Sequence, residues 1–161
     1  MDIRLKQATI QIVESGRHLS LATLREDGYP QANTVNYAND GLILYFGTAR
    51  TSSKIRNIQC CSKVSLTINL PYDDWSQIRG LSMAATARVL ADDSPDSVRA
   101  MNRLLARFPS ASDMSPPSDP GQIVFVELVP RFVSVIDYAQ GFGHSELVEI
   151  SATDFDTPAS A

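Results

Sequence analysis

The stretch Tyr45-Phe46-Gly47-Thr48-Ala49-Arg50-Thr51-Ser52-Ser53-Lys54 gathers the groups that a phosphate needs. A strand end supplies the Thr48 hydroxyl, a hydroxyl-rich turn follows, and Lys54 falls in the first turn of an expected helix with Ile55 and Ile58 facing inward. The first amides of a helix have no partner within it, and the helix dipole favours an anion there. The same residues also suit an ordinary helix capped by a hydroxyl, with a solvated lysine. A second group is Gly141-Phe142-Gly143-His144. Two glycines let backbone approach a flat ligand, Phe142 can stack on it, and His144 can donate, accept or ligate. A glycine-rich turn with an exposed histidine fits these residues as well. Cys60 and Cys61 are adjacent, a poor geometry for a disulfide and too few ligands for structural zinc, so they read as packing residues at a helix end. Asp73 and Asp74 lack the partner spacing of a metal site, and no metal is expected. Trp75 suits either a pocket mouth or a lid, and His18 reads as an edge histidine opening a strand.

The elements that must position these residues follow from periodicity and turn chemistry. Asp2 can cap an opening helix in which Leu5, Ala8, Ile12 and Val13 recur at helical spacing, with Gly16 as a left-handed stop. Strand signals follow over His18–Leu24, Pro30–Tyr37 and Leu42–Thr48, with turns at Glu26-Asp27-Gly28 and Asn39-Asp40-Gly41, so the spacing predicts a three-stranded meander. Lys63–Leu70 alternates as a strand, and Gln77–Leu90 is a second one, long enough to bend at Gly80 or at Ala84-Ala85. Ser94-Pro95 starts a helix whose expected inner face is Val98, Met101, Leu105 and Phe108. Pro109–Gln122 reads as a surface loop, Ile123–Asp137 as a strand interrupted near Pro130, Leu147–Ile150 as a short strand, and Ser151–Ala161 as a frayed tail. Many strands with few helices argue for a mostly antiparallel sheet that closes on itself.

With these fragments in order, the chain resembles the pyridoxamine 5′-phosphate oxidase-like group of FMN-binding split β-barrels. The residues that carry the likeness are Leu21-Ala22-Thr23, Asp27-Gly28-Tyr29-Pro30, Thr48 with Ser52-Ser53-Lys54, Val64-Ser65-Leu66 and Ala87, across residues 10 to 137. The resemblance implies a mainly β (α+β) fold, an antiparallel split β-barrel with two to three peripheral helices. It further implies a homodimer with FMN at the subunit interface. By position, Thr48, Ser52, Ser53 and Lys54 would hold the phosphate, the Asn33-Thr34-Val35 strand would run beside the isoalloxazine, and Gln77 and Arg79 would fall near a flavin contact. The family's oxidases usually carry a basic residue where Asn33 stands and an Arg where Ser53 stands, so the phosphate cradle here is less charged. They also end on a basic substrate-reading segment, whereas this chain reads Asp137-Tyr138-Ala139-Gln140-Gly141-Phe142-Gly143-His144. The expected activity is therefore that of an FMN flavoprotein oxidoreductase with a small-molecule substrate or electron donor other than pyridoxamine phosphate, with no catalytic acid or base assigned. Similar Gly-Phe-Gly segments occur in split barrels that bind haem, so Phe142 and His144 carry the alternative of a haem-binding or haem-degrading protein. A further alternative is a non-catalytic protein that binds flavin or the deazaflavin F420.

Composition agrees with a folded soluble chain. It has 161 residues with 43% hydrophobic and 20% charged, close to the globular average and sufficient for one core. Residues 1–150 are expected to form a single domain and 151–161 a flexible tail. With 14 Lys plus Arg against 18 Asp plus Glu, the net charge of −4 offers no general basic field for nucleic acid or anionic lipid. The first residues mix Asp2, Arg4, Lys6 and Gln7 among apolar ones, and no run has the length of a membrane span. A cytoplasmic location is expected, with neither nucleic acid nor membrane as partner.

Overall fold

Alternate residues of the long strands turn inward and build one core, and that alternation fixes which face each strand hides. The computed structural model describes residues 1–113 and 122–155. Among them the chain forms α1 (Ile3–Ser15), β1 (His18–Leu24), β2 (Pro30–Asn36), β3 (Ala38–Asp40), β4 (Ile43–Ala49), α2 (Ser53–Cys60), β5 (Lys63–Asn69), β6 (Arg79–Val89), α3 (Pro95–Arg107), β7 (Ile123–Asp137) and β8 (Ser145–Glu149). Leu19 and Leu21 of β1, Val64, Leu66 and Ile68 of β5, Leu81 and Met83 of β6, and Val124 and Val126 of β7 are all buried together.

Every pairing is antiparallel, in the order β2-β1-β5-β6-β7-β4-β3, with β8 on β7. This corrects the expected meander. The turn at Gly41 is where expected, with positive φ of 58°, but the strand that it returns to β4 is the short β3, not β2. β2 and β3 end the sheet on opposite sides, yet only Tyr37 lies between them in the chain. A one-residue link spans a few ångströms. The two edges are therefore drawn together and the sheet curls into a barrel, split where β2 and β4 approach without a ladder.

The bend in the long strands sits at Ala84/Ala85, one of the two expected places. Ala84 pairs with Phe132 and Ala85 with Pro130, which leaves Arg131 as an extra residue on β7. Pro130 has no N–H for a ladder, and there β7 changes its second neighbour from β4 to β8.

α1 and α2 close opposite ends of this barrel. Asp2 caps α1 by accepting the Leu5 amide at 2.9 Å. Gly16 ends α1 in an extended conformation, φ −69°, so the expected left-handed stop is not formed. Glycine is needed for another reason: a Cβ there would lie 2.5 Å from Ile68 and 2.7 Å from the Tyr37 hydroxyl. Tyr37 is buried, donates to the Val13 carbonyl at 2.6 Å, and burial pushes its phenol up to about 12. α3 starts at Ser94-Pro95 as expected, but Ala100 is its only buried residue, packed with Tyr45 and Leu90, while Val98, Met101 and Leu105 of the expected inner face are exposed. Of the expected loop Pro109–Gln122, residues Pro109–Asp113 make a 3₁₀ turn, and 114–121 lie outside the described residues. Of the expected tail 151–161, Ala152–Phe155 form a 3₁₀ turn with Asp154 buried, and 156–161 lie outside the described residues. No helix among the described residues is long and apolar enough to cross a membrane.

Candidate functional site

The split in the barrel is the place where backbone is left unpaired. Among the described residues β2 has a single ladder, to β1, so its other edge presents N–H and C=O groups outside any ladder. On β4, β3 covers only Ile43–Tyr45, so Phe46–Ala49 pair with β7 alone and leave an edge facing the split. The result is a slot between two open strand edges, ended by Tyr37 toward α1 and by α2 at the other end. Along β2, Gln31, Asn33 and Val35 turn inward, whereas Thr34 is exposed on the outer face. Asn33 Oδ1 is buried with no donor among the described residues.

At the α2 end of the slot the polar groups of the Thr48–Lys54 stretch converge. Lys54 Nζ donates to Thr48 Oγ1 at 3.1 Å, and Thr48 Oγ1 stands 3.5 Å from Ser52 Oγ. Ser52 occupies the N-cap of α2, but its side chain makes no capping bond, contrary to the expected hydroxyl cap. The amides of Ser53 and Lys54 thus keep their hydrogens for an acceptor outside the helix. Lys54 is half-buried and has no carboxylate within ion-pair distance among the described residues, unlike Arg25, Arg50 and Arg88, which are paired to Asp27, Asp92 and Glu127. A positive charge, a helix start and two hydroxyls thus stand at one point, and each of these groups is of the type that interacts favourably with an anion.

Sequence reasoning missed the polar contact that sets α2 against β2. Asn57 Nδ2 donates to Thr23 Oγ1 at 2.9 Å and to Gln31 Oε1 at 3.1 Å, and Asn57 is 7% exposed. The available signal was an asparagine between Ile55 and Ile58 on an otherwise apolar inner face. Beside this contact a cavity of about 520 Å³ opens, lined by Arg25, Asp27, Gln31, Ser53, Arg56 and Asn57. Ser53 borders it, so the cavity adjoins the Thr48–Lys54 groups.

The remaining candidates lie at the other end of the barrel. Thr48 pairs with Val124 and Arg79 with Asp137, at opposite ends of β7. At roughly 3.3 Å per residue, that separation along the strand is about 40 Å, longer than a flavin mononucleotide. Gln77 is not on the long strand as expected: it closes a 3₁₀ turn, Trp75–Gln77, and accepts the Asp73 amide at 3.1 Å. Phe142 is 83% exposed and stacks on the exposed Trp75, with centroids 6.0 Å apart. His144 Nε2 stands 3.4 Å from Glu146 Oε1. Thr48, Ser52, Ser53 and Lys54 therefore share the α2 end of the slot, Asn33 and Val35 follow along β2 toward Tyr37, and Gln77, Arg79, Phe142 and His144 lie at the far end of β7.

A family model described as pyridoxamine 5′-phosphate oxidase matches residues 5–131. No curated protein sequence matches the chain. Among solved structures, the chain is similar to a haem-binding protein from Mycobacterium smegmatis, with TM-score 0.72 and 20% identity over 89% of this chain and 56% of that one. It is similar to HutZ, the haem storage protein from Vibrio cholerae, with TM-score 0.64 and 16% identity over 74% and 85% of the two chains. It is also similar to an F420 reductase, with TM-score 0.61 and 26% identity over 77% and 94%.

Proposed function

Because the chain belongs to the pyridoxamine 5′-phosphate oxidase family, we propose that it is an FMN-binding oxidoreductase, acting as a homodimer on a small-molecule substrate or electron donor other than pyridoxamine phosphate. The observation that carries this reading is Lys54, an ammonium without a carboxylate partner among the described residues, 3.1 Å from Thr48 Oγ1 at an uncapped helix start. A phosphate dianion is the group that meets the ammonium, the hydroxyls and the first-turn amides together. Asn33 supports the same ligand. Its unmatched acceptor on the slot wall needs a donor, and the ribityl hydroxyls and ring N–H of FMN are donors. FMN supplies hydride or single-electron transfer when bound. The chain's own part is to hold the phosphate through Thr48, Ser52, Ser53 and Lys54 and to present the open β2 edge at Asn33-Thr34-Val35 to the ring system.

Deazaflavin F420 is the alternative occupant of the same slot, favoured by the likeness to the F420 reductase. The haem reading rests on His144, whose Nε2 must leave Glu146 Oε1, 3.4 Å away, to reach an iron. The visible spectrum of the purified protein, with mass identification of any released ligand, separates the three. The slot itself is tested by titrating FMN and riboflavin, which lacks the phosphate, into wild type and Lys54→Ala. FMN binding is expected to weaken by about 1.5 to 3 kcal/mol, roughly ten- to 150-fold, with riboflavin binding unchanged. Unchanged FMN affinity, or an equal loss for both ligands, removes the phosphate assignment. A Soret band lost in His144→Ala replaces the reading with haem.

A further inference from the structure

The α1 end of the barrel holds a cavity of about 310 Å³, with Leu5, Ala8 and Val135 as an apolar wall and Arg4 and Arg79 on its polar side. Its acidic groups already have donors. Glu146 accepts Arg4 Nη2 at 2.7 Å and faces His144 Nε2 at 3.4 Å. Asp137 accepts the Ala139 amide at 3.2 Å and Gln140 Nε2 at 3.3 Å. Arg4 is thereby neutralised by Glu146.

Arg79 is not. Its Nε is buried with no acceptor among the described residues, and Nη2 reaches only Gln11 Oε1, at 3.4 Å, the outer limit of a hydrogen bond. Nε and Nη2 lie on one edge of the guanidinium, the edge that a carboxylate takes with two parallel bonds. A buried charged donor left unmet destabilises the fold, and a bound acceptor removes that cost.

We propose that this cavity binds a small organic carboxylate with a compact apolar body. Arg79 Nε and Nη2 hold the carboxylate once it displaces the weakly held Gln11 amide, and Leu5, Ala8 and Val135 cover the body. The volume accommodates about ten water-sized groups, which matches a carboxylic acid of that many non-hydrogen atoms. The carboxylates of Asp137 and Glu146 in the same wall disfavour a dianion, so a monoanion fits better than a phosphate. The proposal does not depend on the flavin reading, because the cavity lies at the end of the barrel away from Lys54.

Benzoate, with neutral benzamide as its isostere, probes the site by calorimetry on FMN-free and FMN-saturated protein. Wild type is expected to bind benzoate at about 1 mM or tighter and benzamide at least about tenfold more weakly. The Arg79 Nε–H resonance should move as its hydrogen gains an acceptor. Arg79→Gln should lose at least about tenfold in benzoate affinity while FMN affinity and melting temperature do not fall, and Arg79→Lys should lose an intermediate amount. Gln11→Ala, a surface change that keeps the fold, should tighten benzoate by removing the competing amide. The proposal is overturned if wild type ignores benzoate at about 10 mM, a concentration at which even a weak site fills. It is equally overturned if Arg79→Gln binds benzoate like wild type. A fall in FMN affinity in Arg79→Gln would return Arg79 to the flavin site.

Discussion

Asp154 accepts the Ser151 amide at 2.8 Å and the Ser151 hydroxyl at 2.7 Å, and the Met1 ammonium stands 3.1 Å from its other oxygen. The Ser151 bonds are the main cause that pushes its carboxyl down to about 2 from an ordinary value of 3.8, against the opposing effect of burial. A carboxyl whose folded value is depressed contributes stability that is full above its unfolded value and is lost as pH falls through the folded one. Wild type should therefore lose stability from this group between about pH 4 and about pH 2, and Asp154→Asn should flatten that limb while being less stable at neutral pH. Urea midpoints across that range check it, and parallel acid limbs for the two proteins would show that Asp154 has no such role. The same logic of matched and unmatched groups separates Lys54 and Arg79, which lack carboxylate partners among the described residues, from the paired Arg50 and Arg88.

Between elements, Arg107 at the end of α3 closes the carbonyl end of α1. Its Nη2 donates to the carbonyls of Val13 at 3.1 Å and Glu14 at 2.9 Å and also to Gly16, while Nη1 donates to Asn39 Oδ1 at 2.7 Å. The guanidinium also lies over the Tyr37 ring, 4.8 Å from its centroid. Cations stabilise helix C-termini, and charged hydrogen bonds contribute about 1.5 to 3 kcal/mol. Arg107→Ala should cost about 3 kcal/mol in urea unfolding, and Arg107→Lys should recover only part of it, because a lysine lacks the planar fork that reaches several carbonyls at once. Full recovery by lysine would mean that charge alone matters. Nothing in the local sequence announces this contact, since Arg107 and Val13 meet only through tertiary packing. What local chemistry does determine is legible. His18–Leu24 and Ile123–Asp137 are strands over the residues that alternation predicts, Gly28 and Gly41 take positive φ at the expected turns, and Pro95 starts α3. Periodicity marks an apolar stripe on α3 without saying whether anything covers it, which is why Val98, Met101 and Leu105 stand exposed. The partner of β4 was equally hidden, because β7 lies far along the chain and the meander places a sequence neighbour there. The Thr48–Lys54 cluster was readable because it is contiguous, whereas the open edges that form the slot exist only once the barrel curls.

The barrel as a whole carries on its outer sheet face an uncharged patch between the exposed Lys63 and Arg88 and the far ends of the strands. Ser20 and Ala22 of β1, Ser65 and Thr67 of β5, and Ser82 and Ala84 of β6 stand in register across three strands, all small and pointing away from the core. Monomeric sheets usually guard a solvent face with charged side chains, whereas small residues let a second surface approach closely. This face supports the proposed homodimer, whose two copies would be related by a two-fold axis. Ala84 is exposed, so an arginine there adds length and charge to the outer face without entering the core. Ala84→Arg should therefore keep the wild-type far-UV circular dichroism spectrum while shifting the mass by light scattering from dimer to monomer, and its urea midpoint should lose the protein-concentration dependence that a dimer shows. If the flavin slot is completed by a second copy, FMN affinity falls with the dimer. Retained dimerisation in Ala84→Arg would place the interface on another face, and a monomeric wild type would leave the slot to be completed within one chain.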